Sequence, residues 1–217
     1  MAIGILVGMQ SEAALLSPGS MVACSGGRPA KAEELAGYLL KAGAEGLVSF
    51  GVAGGLDPGL APGALVIGTE VDLGGASLKA DEAWAKRLHN ALPKSRLGVV
   101  CGAQDAVLTA AAKSTLHAES GGLVIDLESA AVAEACAAAG KPFAVIRAVA
   151  DPAERAIPEF ALKGLDEAGR TRALPVILGL LGRPFALPAL LGLARDNRAA
   201  LKSLGAATRL LDASLGF

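Results

Sequence analysis

Short apolar runs alternate along the chain with longer segments in which apolar residues recur every three or four positions. The runs predict buried β-strands, and the recurring pattern predicts amphipathic helices. The predicted strands lie near residues 3–8, 20–25, 47–52, 64–71, 97–102, 123–127 and 143–150. The predicted helices lie near residues 29–42, 81–91, 109–118, 128–139, 158–181 and 188–213. This alternation is typical of an α/β, three-layer αβα sandwich with a mostly parallel, mixed central sheet.

The chain shows no internal repeat and no disordered linker that would separate domains. Glycine and proline mark turns between elements, as in GGLDPGLAPG at residues 54–63. With 217 residues, the chain is long enough to bury a full hydrophobic core. We therefore predict a single domain over residues 1–217, in which residues 170–217 form a helical, basic and amphipathic C-terminal region.

The composition argues against several classes of protein. Hydrophobic residues make up 53% of the chain, the formal net charge is -1 and only 3% of residues are aromatic. Such a chain is not expected to bind nucleic acid, which requires basic and aromatic surface. The three cysteines are far apart and lack C-x-x-C spacing, so no disulfide framework, metal site or cofactor is predicted. Cysteines of this kind fit a reducing cytoplasm best. The apolar stretch IGILVGM is interpreted as a first core strand rather than a signal peptide.

Charge is distributed unevenly along the chain. From Arg170 onward there are seven basic and two acidic residues, whereas the preceding part carries a net negative charge. On a helix over 188–213, one stripe carries Arg195, Arg198, Lys202 and Arg209, and another face carries Leu190, Leu193, Leu201, Leu204 and Leu211. Two interpretations are open: these leucines pack on the protein's own sheet or a partner subunit, or the helix lies on an anionic membrane surface.

Side chains suited to chemistry follow four of the predicted strands. The stretches are GMQSE at 8–12, FGVAGG at 50–55, DLES at 126–129 and RAVAD at 147–151. In open α/β sheets, ligands bind beyond the carboxyl ends of the strands, so we expect these stretches to meet in one site. Arg147 favours this, because an arginine inside an apolar run needs a buried carboxylate partner.

Each stretch also has a purely structural interpretation. Asp126 and Glu128 stand where acids cap a helix or interact with its dipole. FGVAGG lacks the spacing of nucleotide phosphate loops and is consistent with a tight turn. Asp151 precedes Pro152 and is consistent with the start of a turn. From these residues alone, a ligand site and a set of caps and turns are both open.

Taken together and in order, the motifs resemble those of the purine nucleoside phosphorylase and nucleosidase superfamily, especially its methylthioadenosine/S-adenosylhomocysteine nucleosidases. The resemblance covers about residues 1–170 and rests on IGILVGMQSE, GVAGGLDPGLAPGALVIGTEV, CGAQDAV, IDLESAAVAEAC and PFAVIRAVADPA. Within this superfamily the chain looks most like the hopanoid-associated phosphorylases of bacteria. It shares with them a short segment between the first two strands and a long C-terminal region rich in Leu, Ala and Arg.

The resemblance implies cleavage of an N-glycosidic bond, in which positive charge develops on the ribose and negative charge on the departing purine. Asp151 would, when protonated, donate to N7 of the purine. Glu128 would bind the ribose hydroxyls and stabilise the oxocarbenium-like centre, with Arg147 holding Glu128 and the nucleophile. Glu12 would position and activate the attacking water.

The resemblance also implies a set of substrate contacts. The Gly-rich loop would contribute its backbone, the segment at 107–108 would bind the adenine edge through backbone groups, and the residues before Glu128 would line or touch the ribose. The positions matched in this way are Val52, Ala53, Gly54, Val107, Leu108, Asp126 and Leu127.

The sequence departs from the family pattern at two positions that bear on mechanism. Relatives carry a serine or threonine in the Gly-rich loop that holds water or phosphate, whereas Val52 offers no hydroxyl. SGGRPAK at 25–31 enters a helix and could substitute, with Gly27 and Arg28 as candidate phosphate ligands, or it could be only a glycine turn before a helix-starting proline. The serine that often precedes the aspartate is Ala150 here.

The expected function is cleavage of adenosylhopane to adenine and ribosylhopane or its 1-phosphate, with phosphate as an optional co-substrate and no cofactor. A soluble nucleosidase or phosphorylase for methylthioadenosine, adenosylhomocysteine or another purine nucleoside is the first alternative. A noncatalytic nucleoside-binding or membrane-associated scaffold is the second, given Val52 and Ala150. The resemblance further implies a homo-oligomer, placed in the cytoplasm or peripherally at the inner membrane face.

Overall fold

The computed structural model describes residues 2–211 and 215–216, without the side chains at 181 and 184. The strands are β1 (Ile3–Val7), β2 (Met21–Cys24), β3 (Gly46–Gly55), β4 (Leu65–Asp72), β5 (Ser77–Lys79), β6 (Arg96–Gly102), β7 (Val124–Asp126) and β8 (Phe143–Asp151). The helices are α1 (Gln10–Ala13), α2 (Pro29–Lys41), α3 (Glu82–Ala91), α4 (Ala110–Ser120), α5 (Ser129–Ala139), α6 (Ala173–Leu181) and α7 (Leu187–Leu210). Short 3-10 helices span Glu159–Gly164 and Pro184–Ala186.

All eight strands belong to one mixed sheet with the order β2-β1-β3-β7-β6-β4-β5. β8 pairs with both β3 and β4, so the strands β3, β7, β6, β4 and β8 close into a ring. The pairs β1–β2, β1–β3, β3–β8, β4–β6 and β6–β7 are parallel, whereas β3–β7, β4–β5 and β4–β8 are antiparallel. Parallel pairing aligns the carboxyl ends of β1, β3 and β8 at one edge of the sheet.

Two apolar cores lie on opposite faces of this sheet, because side chains alternate along each strand. In β3, Leu47 belongs to the core beneath α2 and α5, and its neighbour Val48 belongs to the core beneath α3 and α7. Trp84 of α3 and Leu204 of α7 are fully buried in the second core. The result is the predicted sandwich of helices, mixed sheet and helices.

The predicted helix over 158–181 is wrong. The structure has a 3-10 helix over Glu159–Gly164, then a turn, and then α6 from Ala173. Asp166 breaks the helix, because its carboxylate accepts backbone N–H bonds from Ala168 (3.0 Å) and Arg170 (2.9 Å) and so stabilises a turn. Gly169 completes the turn with φ +78°, a conformation that favours glycine.

Two short elements were not predicted, and one helix end differs. The four residues of α1 and the three of β5 are too few to show a period in the sequence. The predicted helix over 188–213 corresponds to α7, which ends at Leu210, and residues 212–213 lie outside the described part of the chain.

The second half of α7 packs on the protein's own sheet. Leu204 and Leu211 are buried, and Leu201 packs against the same core. Leu190 and Leu193 are half-buried, whereas all four basic residues of the predicted stripe are exposed. The packing interpretation is therefore confirmed for Leu201, Leu204 and Leu211. Among the residues that the structure describes, no helix is long and apolar enough to cross a membrane.

Candidate active site

A cavity of about 240 Å³ opens at the sheet edge where β1, β3, β6, β7 and β8 end. Six segments that are distant in sequence contribute to its wall, so the fold brings the four predicted stretches together. The cavity is lined by Gly8, Met9, Glu12, Gly27, Val52, Ala53, Gly54, Asp105, Ala106, Val107, Ile125, Asp126, Leu127, Glu128, Asp151, Ile157 and Leu162.

The two acids at the start of α5 have different roles. Asp126 caps the helix, because its carboxylate accepts the backbone N–H groups of Glu128 (3.0 Å) and Ser129 (2.7 Å). Glu128 stands at the N-cap position but its side chain makes no cap hydrogen bond. Its Oε1 instead accepts the Ser25 hydroxyl at 2.9 Å. The capping by Asp126 thus leaves the Glu128 carboxylate directed to the cavity that it lines.

Arg147 of β8 is fully buried behind the cavity and binds both of these acids. Its Nε lies 2.6 Å from Asp126 Oδ2, and its Nη2 lies 3.6 Å from Glu128 Oε2. The guanidinium also donates to the hydroxyls of Ser49 and Ser129. Burial raises the pKa of Glu128, and the Arg147 guanidinium acts against this by stabilising the charged form.

Glu12 is buried and held by backbone donors. Its Oε2 accepts N–H bonds from Gly8 (2.9 Å) and Met9 (2.8 Å), and its Oε1 accepts the N–H of Val52 at 2.8 Å. Burial and, to a smaller extent, the nearby charge of Glu128 raise the pKa of Glu12 to about 7. A carboxyl with this pKa exchanges protons near neutral pH, as a general base requires.

Asp151 ends β8 and borders the same cavity. Its carboxylate forms an ion pair with Lys113 of α4, whose side chain is fully buried. Burial raises the pKa of Asp151 to about 6, and the Lys113 ammonium limits the rise. The side chain therefore does not act as a turn former before Pro152, which was the structural alternative.

Glycine is required where backbone and carboxylates approach most closely. A Cβ at Gly8 would lie 2.8 Å from Glu128 Oε1, and a Cβ at Gly51 would lie 2.6 Å from Glu12 Oε1. A Cβ at Gly54 would lie 3.1 Å from Asp151 Oδ2. Gly8, Gly51 and Gly54 thus make room for the three acids.

Most of the predicted substrate contacts lie at the cavity, with one exception. Val52, Ala53, Gly54, Val107, Asp126 and Leu127 line it. Leu108 does not, and its carbonyl accepts the backbone N–H of Ile157 at 2.8 Å. The Leu108 carbonyl is therefore engaged in holding the segment after β8, and the prediction that it lines the site is corrected.

The candidate phosphate ligands separate in the structure. Gly27 lines the cavity, and its backbone N–H donates to the Ser25 hydroxyl at 3.1 Å. Arg28 points elsewhere, because its Nη1 lies 3.3 Å from the exposed carboxylate of Glu167. The prediction of Arg28 as an anion ligand in this site is therefore not met by the geometry.

Sequence reasoning missed the residues that support the acids from behind. Lys113 gave no signal, because a lysine in an alanine-rich helix is normally exposed. The supporting hydroxyls of Ser25, Ser49 and Ser129 lie on three different elements, and only the fold brings them together. Leu162, in the wrongly predicted helix, also lines the cavity.

The cavity wall is acidic and apolar. The lining residues that the structure describes include five Asp or Glu residues and no Lys, Arg, His, Ser or Thr. The positive charge of Arg147 lies behind the carboxylates rather than in the wall. Within the described part of the chain, no group of His, Cys, Asp and Glu side chains is arranged to hold a metal ion. Such a wall suits a ligand that becomes positively charged.

Comparison with known families and structures gives consistent results. A model of the phosphorylase superfamily matches residues 15–177, which is most of the chain. This confirms the prediction of an enzyme of the nucleoside phosphorylase and N-glycosyl hydrolase class. A comparison with curated proteins finds no match.

Several solved structures share the fold. One is S-adenosylhomocysteine nucleosidase from Streptococcus pyogenes in complex with 5-methylthiotubericidin (20% identity, TM-score 0.65, covering 71% of this chain and 85% of that one). Another is 5'-methylthioadenosine/S-adenosylhomocysteine nucleosidase from Neisseria meningitidis in complex with methylthio-immucillin-A (18%, 0.66, 95% and 99%). A third is futalosine hydrolase from Helicobacter pylori (16%, 0.68, 97% and 98%). The predicted fold class is confirmed.

Proposed function

Because the chain belongs to the phosphorylase superfamily, we propose that its cavity cleaves the N-glycosidic bond of an adenine nucleoside by hydrolysis. One observation carries this proposal: Glu12, Glu128 and Asp151 line one cavity, and each has a pKa raised by burial. Groups of this kind cluster where protons are transferred.

The three acids fit the separate needs of the reaction. When the bond between ribose C1' and the purine breaks, the bonding electron pair leaves with the base. Asp151 in its protonated form gives its proton to N7, so that a neutral purine departs. Glu128 carries the negative charge that stabilises the oxocarbenium-like ribose, with Asp126 and Arg147 fixing its position.

Glu12 completes the reaction by accepting a proton from the attacking water, whose oxygen forms the new bond to C1'. Its two oxygens are held by three backbone N–H groups, which fixes the carboxylate without supplying a full positive charge. Burial outweighs the lowering of the pKa by these hydrogen bonds and by Arg147, so the carboxylate is basic, with a pKa of about 7. The products are free purine and a ribose with a C1' hydroxyl.

Water fits the cavity better than phosphate as the nucleophile. No basic or hydroxyl side chain is present among the described lining residues, and five acidic residues would repel a phosphate dianion. Val52 supplies no hydroxyl, and Arg28 pairs with Glu167 outside the cavity. We therefore propose a nucleosidase, with phosphorolysis as the alternative outcome of the test.

Adenine as the leaving base is supported by the nature of the neighbours. The Streptococcus pyogenes and Neisseria meningitidis proteins are nucleosidases of adenine-containing compounds by name. In this chain, Val107, Ile125 and Ile157 line the cavity with apolar side chains that suit a planar base. We expect backbone groups at 105–107, in the same wall, to bind its edge.

We further propose adenosylhopane as the preferred substrate, because the part of the chain that follows the cavity residue Leu162 carries many exposed apolar side chains. Leu162 lines the cavity and is also 46% exposed. Six more exposed apolar side chains follow on α6, the second 3-10 helix and α7. Together with Leu162 they are called here the apolar patch, and the set is Leu162, Leu174, Ile177, Leu178, Phe185, Leu187 and Leu191. A small soluble nucleoside would leave the apolar patch exposed, whereas a polycyclic lipid substituent would bury it.

The apolar patch also supports peripheral contact with a membrane. Phe185 is 96% exposed, and Arg170, Arg172 and Arg183 are exposed in the same region of the chain. Apolar side chains flanked by arginines suit insertion beneath anionic headgroups. Such contact would let a lipid-linked nucleoside reach the cavity without leaving the bilayer completely.

The experiment that tests N-glycosidic cleavage measures adenine release by the wild-type protein and by Asp151→Asn. The asparagine keeps the size of the side chain but has no acidic proton, so we expect turnover to fall by about 10²- to 10⁴-fold. Glu134→Gln, at an exposed acid of α5 that does not line the cavity, is the matched control and should keep most activity. Equal turnover by wild type and Asp151→Asn would reject Asp151 as the proton donor.

A further inference from the structure

Lys113 is a fully buried lysine in a part of the protein where no sequence motif predicts one. It lies in the first turns of α4, and its side chain has 0% exposure. Burying an ammonium group is costly unless its hydrogen bonds and charge are satisfied. The surroundings of Lys113 must therefore contain groups that hold it.

Four oxygen atoms surround the Lys113 ammonium. The carboxylate of Asp151 forms an ion pair with it. The backbone carbonyl oxygens of Asp151 (3.2 Å), Pro152 (3.1 Å) and Arg155 (3.2 Å) share its other two N–H donors. Because an ammonium group has three donors and no acceptor, this arrangement is specific for the charged side chain.

Among charged groups, the Lys113 ammonium has the largest effect on the pKa of Asp151. Arg155 is the second cation near this carboxylate, but its Nε lies 2.5 Å from Asp196 Oδ2 of α7, so its charge is largely compensated. Asp196 itself raises the pKa of Asp151, but by less than Lys113 or Arg155 lowers it. The pKa of Asp151 is therefore set mainly by burial, which raises it, and by Lys113, which lowers it.

We propose that Lys113 is a positioning residue for Asp151, whose buried ammonium holds the carboxyl group and stabilises the negative charge that Asp151 acquires when its proton passes to the purine. This inference rests on the proposed function, in which Asp151 is the proton donor. Lys113 also provides the orienting hydrogen bond that Ala150 cannot supply from the preceding position.

The arrangement adjusts the strength of the acid. Without a cation, a carboxyl buried to this degree would stay protonated well above neutral pH and would release its proton to N7 only with difficulty. With Lys113 beside it, the pKa of Asp151 is about 6. The acid then remains strong enough to protonate the purine and is still partly protonated near neutral pH.

The test compares the pH dependence of kcat/KM for wild type, Lys113→Met and Lys113→Gln. Both variants remove the charge, and the glutamine keeps hydrogen-bond donors for the carbonyls. Loss of a neighbouring opposite charge raises the pKa of an aspartate by roughly one to three units. Since the optimum lies midway between the pKa values of the base and the acid, we expect it to move to higher pH by roughly 0.5 to 1.5 units.

Lys86→Met serves as the matched control, because the same substitution is made at an exposed lysine of α3. Its pH profile should equal that of the wild type. An unchanged optimum in both folded Lys113 variants would overturn the proposal. Failure of both variants to fold would assign Lys113 to stability alone and would also overturn it.

A second readout separates this inference from the proposed function. Lys113→Met is combined with Asp151→Asn, and turnover of the double variant is compared with that of Asp151→Asn. If Lys113 acts through Asp151, the double variant should be no slower, whereas a further loss would contradict the inference. If Asp151→Asn itself retains full turnover, the proposed function fails, whatever Lys113 does.

Discussion

Arg147 Nε lies 2.6 Å from Asp126 Oδ2 in an ion pair in which both side chains are almost completely buried. The same guanidinium reaches Glu128 at 3.6 Å, so one cation serves two carboxylates of the cavity wall. Asp126 takes the shorter contact and also caps α5. Glu128 is consequently only partly compensated, which leaves negative charge for a cationic ribose.

Replacement of Arg147 by methionine should destabilise the protein strongly, by about 3–5 kcal/mol, because two buried carboxylates would lose their cation. The loss should grow as pH rises. Without Arg147, Glu128 binds its proton more tightly in the folded than in the unfolded state, and this stabilisation disappears on deprotonation. Urea unfolding at several pH values measures the effect. Arg198→Met, at an exposed arginine of α7, should change stability by less than about 0.5 kcal/mol.

Gly51→Ala should inactivate the enzyme with little change in overall structure. The new methyl group would lie 2.6 Å from Glu12 Oε1 and 2.7 Å from Arg147 Nη1, so both side chains must move. Misplacement of reacting groups on this scale costs roughly 100-fold in turnover.

Gly37→Ala is the matched control, because nothing lies near its Cβ and it stands inside α2. It should stabilise the protein by roughly 0.5–1 kcal/mol and leave kcat unchanged. Equal turnover in both variants would contradict the assigned role of the Glu12 site.

The pH profile of kcat/KM should be bell-shaped with an optimum near pH 6.5, midway between the two relevant pKa values. Activity should fall toward low pH because Glu12, with a pKa of about 7, becomes protonated and cannot act as a base. It should fall toward high pH because Asp151, with a pKa of about 6, loses the proton that it must donate. Steady-state kinetics across this range provide the measurement.

Glu12→Gln supplies the control for that profile. The fall toward low pH should disappear, the fall toward high pH should remain, and turnover should be lower at every pH because no base is present. A low-pH limb that persists in Glu12→Gln would show that another group acts as the base.

The apolar patch should bind anionic vesicles. Cosedimentation with vesicles of phosphatidylcholine and phosphatidylglycerol should retain the wild-type protein, and added salt should weaken the binding by screening the arginines. A Phe185→Ser/Leu178→Ser double variant should bind more weakly, because both side chains are mostly exposed. Tyr38→Ser, at an exposed side chain on α2, is the control. Equal sedimentation of the wild type and the double variant would reject the membrane-facing surface.

Most of the sandwich follows from hydrophobic periodicity. Seven of the strands and five of the longer helices lie where the apolar patterns place them. The region after Asp151 was mispredicted because its leucines and alanines mimic a helix, whereas the backbone hydrogen bonds to Asp166 favour a turn. A side chain that competes in this way for backbone hydrogen bonds does not change the hydrophobic period of the sequence.

The front of the cavity was also predictable, because its acids stand in contiguous motifs after strands. The residues that hold these acids from behind the cavity could not be predicted from the sequence. Lys113 and Ser25 reach the site from separate elements, and only tertiary packing brings Lys113 to Asp151 and Ser25 to Glu128. Arg28 is the opposite case. Its local motif suggested an anion site, but in the structure its side chain pairs with Glu167 from another part of the chain.

The most direct measurement is adenine release by the purified protein from adenosylhopane in liposomes, beside methylthioadenosine and adenosine, each with and without phosphate. The account predicts preferential turnover of the lipid-linked nucleoside at a rate that does not depend on phosphate. Turnover of only the soluble nucleosides would contradict the lipid assignment, and turnover that requires phosphate would contradict hydrolysis. Absence of adenine release from every substrate would contradict the proposed function as a whole.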